Sequence, residues 1–224
     1  MSAVAVSAPA TVLASLVARD LAHRYSPRRG LEPLSFEIEG PLVAAVTGPN
    51  GSGKSTLLRI IAGLLRPNRG ACTLSCGGRE IARTERRESV GLATPELSFY
   101  EEFTVGENLV FAAQAKGLAD PRGRVRDSLE RVGLWVRAGD RADALSSGMR
   151  QRLRLAFALL HRPPVLLLDE PGSHLDEDGR AMVARVVREQ RAHGLVLIAT
   201  NDERERKLAE RTIELHGRGL GDPA

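Results

Sequence analysis

Leu42-Val-Ala-Ala-Val46, then Gly48-Pro-Asn-Gly-Ser-Gly-Lys-Ser55, then Thr56-Leu-Leu-Arg-Ile-Ile-Ala-Gly63 is the stretch that decides the fold. The first segment is a continuous apolar run, which suits a strand buried on both faces, as in a parallel sheet. The last segment reads as a helix. Between them lies the complete pattern G-x-x-x-x-G-K-[ST], with the strand before and the helix after that give it physical meaning. Glycines let the backbone curl so that its N–H groups point at phosphate oxygens, and the helix N-terminus adds its positive dipole end. Lys54 would place a point charge on the β and γ phosphates, and Ser55 would offer a hydroxyl to Mg²⁺.

Val165-Leu-Leu-Leu168 is a second buried strand, followed at once by Asp169-Glu170. A carboxylate at the carboxyl end of such a strand emerges beside the phosphate loop, where open α/β sheets bind ligands. Asp169 is a candidate for holding Mg²⁺, and Glu170 for orienting and polarising a water. Without the phosphate loop, two solvated acids at a strand end would be the better reading.

Working outward, Leu16 to Tyr25 is strand-like, and Leu34-Ser-Phe-Glu-Ile38 alternates as a half-buried strand does. Ala71 to Ile81 reads as a short strand with a turn at Gly77-Gly78. Thr104 and Glu107 form a capping box ahead of a helix running to Lys116. Arg122 to Val132 is apolar-periodic. Ser146 or Ser147 precedes a helix that runs through Leu160 and ends at Pro163-Pro164. Ala181 to Gln190 is helical, Leu195-Val-Leu-Ile-Ala199 is a third buried strand, and Ile213-Glu-Leu215 is a last one. Buried strands alternating with helices argue for α/β, with a helical insertion in the middle.

Composition narrows the function classes. Aromatics are 4%, against aromatic-rich nucleic-acid readers and aromatic-girdled barrels. The net charge is +4, yet of 32 basic residues only Lys54, Lys116 and Lys207 are lysines, and the arginines are dispersed rather than striped. Cys72 and Cys76 lack the partners for a disulfide framework or a metal site. The leading residues make a poor signal peptide, and no apolar run approaches the roughly 18 residues of a membrane span. A reducing, cytoplasmic setting is expected.

Leu145-Ser-Ser-Gly-Met-Arg-Gln-Arg152 lies between the two motifs and just before a helix. It is close to the signature LSGGQ-x-Q-R, and with it the chain resembles the nucleotide-binding subunit of an ABC transporter over about 16–219. The resemblance implies an α/β, P-loop NTPase fold of ABC type: a mostly parallel core sheet, an antiparallel β subdomain and an inserted helical subdomain. It implies one domain over 1–224, with a flexible leader at 1–15, the core at 16–94 and 161–219, and the helical subdomain at about 95–160. ATP and Mg²⁺ are the implied ligands. Gly48, Pro49, Asn50, Gly51, Ser52, Gly53, Lys54, Ser55 and Thr56 would cradle the phosphates, with Ser55 and Asp169 at the metal and Glu170 catalytic. Tyr25 matches the aromatic that stacks on adenine. Ser146, Ser147 and Gly148 would touch ATP held by a second copy in a head-to-tail homodimer. Ser173-His-Leu-Asp176 resembles the dimer-contact loop, and Tyr100 to Leu109 the surface that meets a transmembrane permease on a separate chain. The subunit would sit peripherally on the inner face of the cell membrane, with no nucleic-acid partner.

Two positions depart from the family pattern. Pro95 stands where a glutamine is usual, leaving Glu96 or a water to fill the place. Asn201 stands where a histidine is usual; it is the implied γ-phosphate contact and can donate a hydrogen bond but cannot carry charge. The short length resembles small export ATPases, including the haem-exporter type. The alternatives are a non-transport ABC ATPase and a low-turnover ATP-binding regulatory module.

Overall fold

A computed structural model describes residues 13–26 and 29–217. Its centre is a five-stranded parallel sheet with order β6-β7-β8-β3-β9, built from β3 (Leu42–Thr47), β6 (Val90–Ala93), β7 (Val165–Asp169), β8 (Leu195–Ala199) and β9 (Arg211–Glu214). β7 and β8 are buried at every position, as their unbroken apolar runs require. Val46 pairs with Ala199, and Asp169 pairs with Ala199 from the other side. The carboxyl ends of β3, β7 and β8 are therefore level, and the three loops that follow them emerge together.

Beside it lies an antiparallel sheet of order β2-β1-β4-β5, from β1 (Ala14–Ser26), β2 (Arg29–Glu39), β4 (Arg69–Cys76) and β5 (Arg79–Glu80). Helix α1 (Lys54–Ile61) packs between the sheets, sharing one apolar core with Leu16, Leu21, Leu74, Val46 and Leu167. Ala14 and Ser15, placed in the expected leader over 1–15, pair with Cys76 and Ser75 as part of β1; residues 1–12 lie outside the described residues.

The middle of the chain is helical after a short α2 (Arg86–Ser89): α3 (Val105–Ala115), α4 (Pro121–Arg131) and α5 (Ser147–Leu159). The capping box is present, with Glu107 N–H donating to Thr104 Oγ1 at 3.1 Å and Thr104 N–H donating to Glu107 Oε2 at 2.8 Å. The N-cap of α5 is Ser146, whose Oγ accepts from Met149 N–H at 3.2 Å. These helices and α6 (Glu177–Arg191) share a second core with the other face of the parallel sheet. Helix α6 starts four residues before the expected Ala181, since Asp176 caps it through Gly179 N–H at 2.8 Å and its first turn is polar. The short elements α2, β6 and α7 (Glu203–Arg206) carry too few residues for a periodic signal. Among the described residues no helix is long and apolar enough to cross a membrane.

Candidate active site

The level ends of β3 and β7 open onto a cleft of about 280 Å³, and Asn201, after β8, lies outside its lining. Its lining includes Tyr25, Arg29, Asn50, Gly51, Gly53, Lys54, Ser55, Thr56, Arg59, Glu96, Asp169 and Glu170. The glycine-rich loop wraps the start of α1. Gly53 caps that helix at φ 101°, and a Cβ there would lie 2.9 Å from Gly30 O, so only glycine lets the loop approach β2 so closely. Lys54 is buried, and its ammonium donates to Gly48 O at 2.7 Å and Pro49 O at 3.2 Å. Ser52 Oγ is buried with no hydrogen-bond partner among the described residues. A polar cradle with a buried cation and an orphaned hydroxyl suits an anionic ligand.

Asp169 ends β7, is buried, and accepts a hydrogen bond from the Ser55 hydroxyl. Burial pushes its carboxyl above the usual carboxylate range; the Ser55 hydroxyl opposes that, the Glu170 charge adds to it, and Arg59 and Lys54 counter it. Ser55 and Asp169 thus put two hard oxygens side by side, a donor set suited to Mg²⁺. Glu170 follows with φ 48°, a left-handed backbone that costs a non-glycine residue about 1–3 kcal/mol. Its N–H donates to Ala199 O at 2.9 Å, and its Oε2 accepts from Ser173 Oγ at 3.4 Å. The strain is held by these contacts and aims the carboxylate into the cleft.

Asn201 and Glu96, the neighbour of Pro95, are both engaged. Asn201 Nδ2 donates to Asn50 Oδ1 at 3.1 Å, tying the loop after β8 to the phosphate loop. Glu96 lines the cleft and forms an ion pair with Arg59 of α1. Tyr25 is 44% exposed at the cleft mouth, with the Arg29 guanidinium 5.6 Å from its ring centroid.

Ser146, Ser147 and Gly148 line a different depression, of about 430 Å³, with Arg152, His174 and Asp176. It shares no lining residue with the phosphate cleft. Tyr100, Phe103 and Phe111 form an exposed aromatic cluster at the start of α3, with Tyr100 centroids 5.2 and 5.7 Å from the other two rings. Sequence reasoning passed over Arg29, Arg59 and Glu205, and gave Gln151 no role beyond its place in the signature. Arg59 had a signal, being one helical turn beyond Ser55; Arg29 reaches the cleft only through hairpin pairing across Ser26.

A family model described as ABC transporter matches residues 31–173. In Haloferax volcanii, the protein named "Probable anion import ATP-binding protein" is 34% identical over 225 residues, covering 90% of this chain and 77% of that one. Three further curated relatives, all from Bacillus subtilis, are spanned over only 60%, 48% and 60% of their lengths. Among solved structures, an ATP-binding subunit of an ABC transporter superposes with TM-score 0.77 at 30% identity, covering 90% of this chain and 86% of that one. The fold is shared with the dimeric cassette MJ0796 bound to ADP and Pi, at TM-score 0.79 and 23% identity over 89% of this chain and 94% of that one. The chain belongs to the ABC transporter family, as an ABC ATPase nucleotide-binding domain.

Proposed function

We propose that this chain binds MgATP in the cleft beside α1 and hydrolyses it to drive a membrane transporter through a permease on a separate chain. The observation that carries this reading is the convergence of Lys54, the Ser55–Asp169 pair and Glu170 at the level ends of β3 and β7. Backbone N–H groups of the 48–56 loop hold the phosphates, and Tyr25 offers its exposed ring to the base. Lys54 exchanges the carbonyls of Gly48 and Pro49 for phosphate oxygens. Ser55 and Asp169 would hold Mg²⁺, which supplies charge neutralisation on the phosphates. Glu170 orients the attacking water and receives its proton, and Asn201 donates a hydrogen bond to the γ-phosphate.

Ser146, Ser147 and Gly148 serve the nucleotide of a second copy in a head-to-tail dimer, which is why their depression stands apart from the cradle. The Tyr100, Phe103 and Phe111 cluster offers an apolar face to the permease, and the subunit acts at the inner face of the membrane. The relatives include a protein named for import, so the direction of transport enters through the permease. The 95–160 segment acts as a helical subdomain between the core at 16–94 and 161–219. A second reading, an ATP-holding module with little turnover, is favoured by Pro95 and by the Glu96–Arg59 pair, which occupies the nearest carboxylate.

The test compares the wild type, Lys54→Ala and Glu170→Gln for binding of a fluorescent ATP analogue and for steady-state phosphate release. The first reading expects Lys54→Ala to lose binding, and Glu170→Gln to keep binding, dimerise with ATP and lose turnover by about 100-fold or more. Wild-type turnover no faster than Glu170→Gln selects the second reading, and unimpaired binding by Lys54→Ala removes both.

A further inference from the structure

Two turns flank the cleft, one carrying Glu170 after β7 and the other carrying Asn201 after β8. Besides the Glu170 N–H to Ala199 O bond, a side chain joins them. Glu205, on α7, is 8% exposed, and its Oε1 accepts the Gly172 N–H at 2.6 Å. The same carboxylate accepts a hydrogen bond from the Thr200 hydroxyl. The Thr200 oxygen in turn accepts from Asp202 N–H at 2.9 Å. Gly172 lies two residues beyond Glu170, and Thr200 one residue before Asn201.

We propose that Glu205 is a positioning residue that fixes the Glu170 turn and the Asn201 turn in mutual register for hydrolysis. This rests on the roles given above to Glu170 and Asn201. Three observations support it. Glu205 has no ion pair among those formed by the described residues, so a carboxylate is kept in a buried place by hydrogen bonds alone, an arrangement costly unless each is made. Burial, with the charges of Asp202 and Glu170, pushes its carboxyl up, while the Thr200 and Gly172 hydrogen bonds pull it down. Finally, a Cβ at position 172 would collide with Glu205 Oε1, so the turn leaves space at that residue for this carboxylate.

The experiment uses the full chain with Glu205→Ala, Glu205→Gln and, from the opposite side of the contact, Gly172→Ala. Glutamine keeps an oxygen for the Gly172 N–H. Glu205→Ala and Gly172→Ala are expected to lower kcat by about tenfold or more with KM for ATP within about twofold, and Glu205→Gln to recover most of the rate. Amide exchange over 170–176 and 200–206 should quicken by about tenfold or more in Glu205→Ala while α1 keeps its protection. The proposal is overturned if Glu205→Ala turns over at the wild-type rate, if KM rises as kcat falls, or if exchange quickens evenly across α1 and β3. A wild type without turnover defeats the catalytic reading instead. Exchange then still decides the point: coupled loosening of both turns upholds the link, and unchanged protection overturns it.

Discussion

The side-chain amide of Gln151 donates to the carbonyl oxygens of Glu170 and Pro171, 3.3 Å from each. Gln151 is buried on α5, the helix opened by Ser146, and its own oxygen accepts from Arg154 NH1 at 3.2 Å. Arg154 Nε donates to Leu97 O at 3.1 Å. A continuous path therefore runs from the loop that holds Glu96, through α5, to the strained backbone of Glu170. A ligand-driven shift at either end has a physical route to the other, because these hydrogen bonds are directional and pass through the buried Gln151.

Gln151→Ala removes the donor to both carbonyls and the acceptor of Arg154 together. The fold is expected to lose about 1–3 kcal/mol, the range for buried polar groups left unpaired, and turnover is expected to fall severalfold. Urea unfolding and phosphate release check this. A variant with wild-type values of both would leave the Glu170 turn held by Ala199, Ser173 and Glu205 without Gln151.

Asn201 concerns charge rather than strain. Its amide reaches Asn50 Oδ1 and stays neutral at every accessible pH. Asn201→Ala is expected to reduce kcat by about tenfold, the usual scale for one donor on developing charge. The kcat profile of the wild type should carry no step from this position, whereas Asn201→His should introduce one near pH 6.5, the ordinary histidine value. Superimposable profiles for the two proteins would place residue 201 away from the γ-phosphate.

Legibility followed the length of the signal. β3, β7 and β8 are long apolar runs, and their boundaries in the chain match the sequence reading within one residue. The Thr104–Glu107 box was legible, and the α5 cap was narrowed to Ser146 or Ser147, because capping chemistry is local. The four-residue elements α2, β6 and α7 were hidden, since their identity comes from tertiary pairing; β6 exists because Val90 to Ala93 lie against Val165 to Leu168. The site divides in the same way. The phosphate loop and Asp169-Glu170 are contiguous motifs. Glu205 gains its role from a contact spanning 33 residues, which no local pattern announces, and Gln151, although part of the signature, gains its own from one spanning 19.

Arg86 stabilises the far end of the phosphate-loop helix. It is 5% exposed, and its guanidinium donates to Ile60 O at 3.1 Å, Ile61 O at 3.2 Å and Cys72 O. It stands with no carboxylate in an ion pair among the described residues, so the carbonyl end of α1 is its counter-charge. Arg86→Ala is expected to cost about 2–4 kcal/mol, by stripping charged hydrogen bonds from buried carbonyls. Arg86→Lys should restore only part, because one ammonium cannot span the helix end and β4 as the planar fork does. The urea midpoints of the three proteins give the order, and equal midpoints would show that water replaces the guanidinium without loss.

His161 makes the fold acid-sensitive. Its Nε2 meets Val90 O at 3.2 Å and its Nδ1 is buried without a partner. Burial, with Lys116 and Arg124 nearby, pushes its pKa down to about 4; the Val90 carbonyl only partly opposes this. A pKa depressed on folding means that the unfolded chain binds the proton first. The stabilising contribution is therefore whole above about pH 6.5 and is lost as pH falls towards 4, amounting to up to about 3 kcal/mol. Asp169 and Glu205 act in the opposite sense, since carboxyls raised on folding add stability as pH falls. Comparing the wild type with His161→Gln cancels those terms, because both proteins retain them. The glutamine variant is expected to be the less stable at pH 7 and to draw level or overtake by pH 4.5 in urea unfolding. Parallel stability curves across that range would mean that His161 takes up its proton in the folded protein as readily as in the unfolded chain.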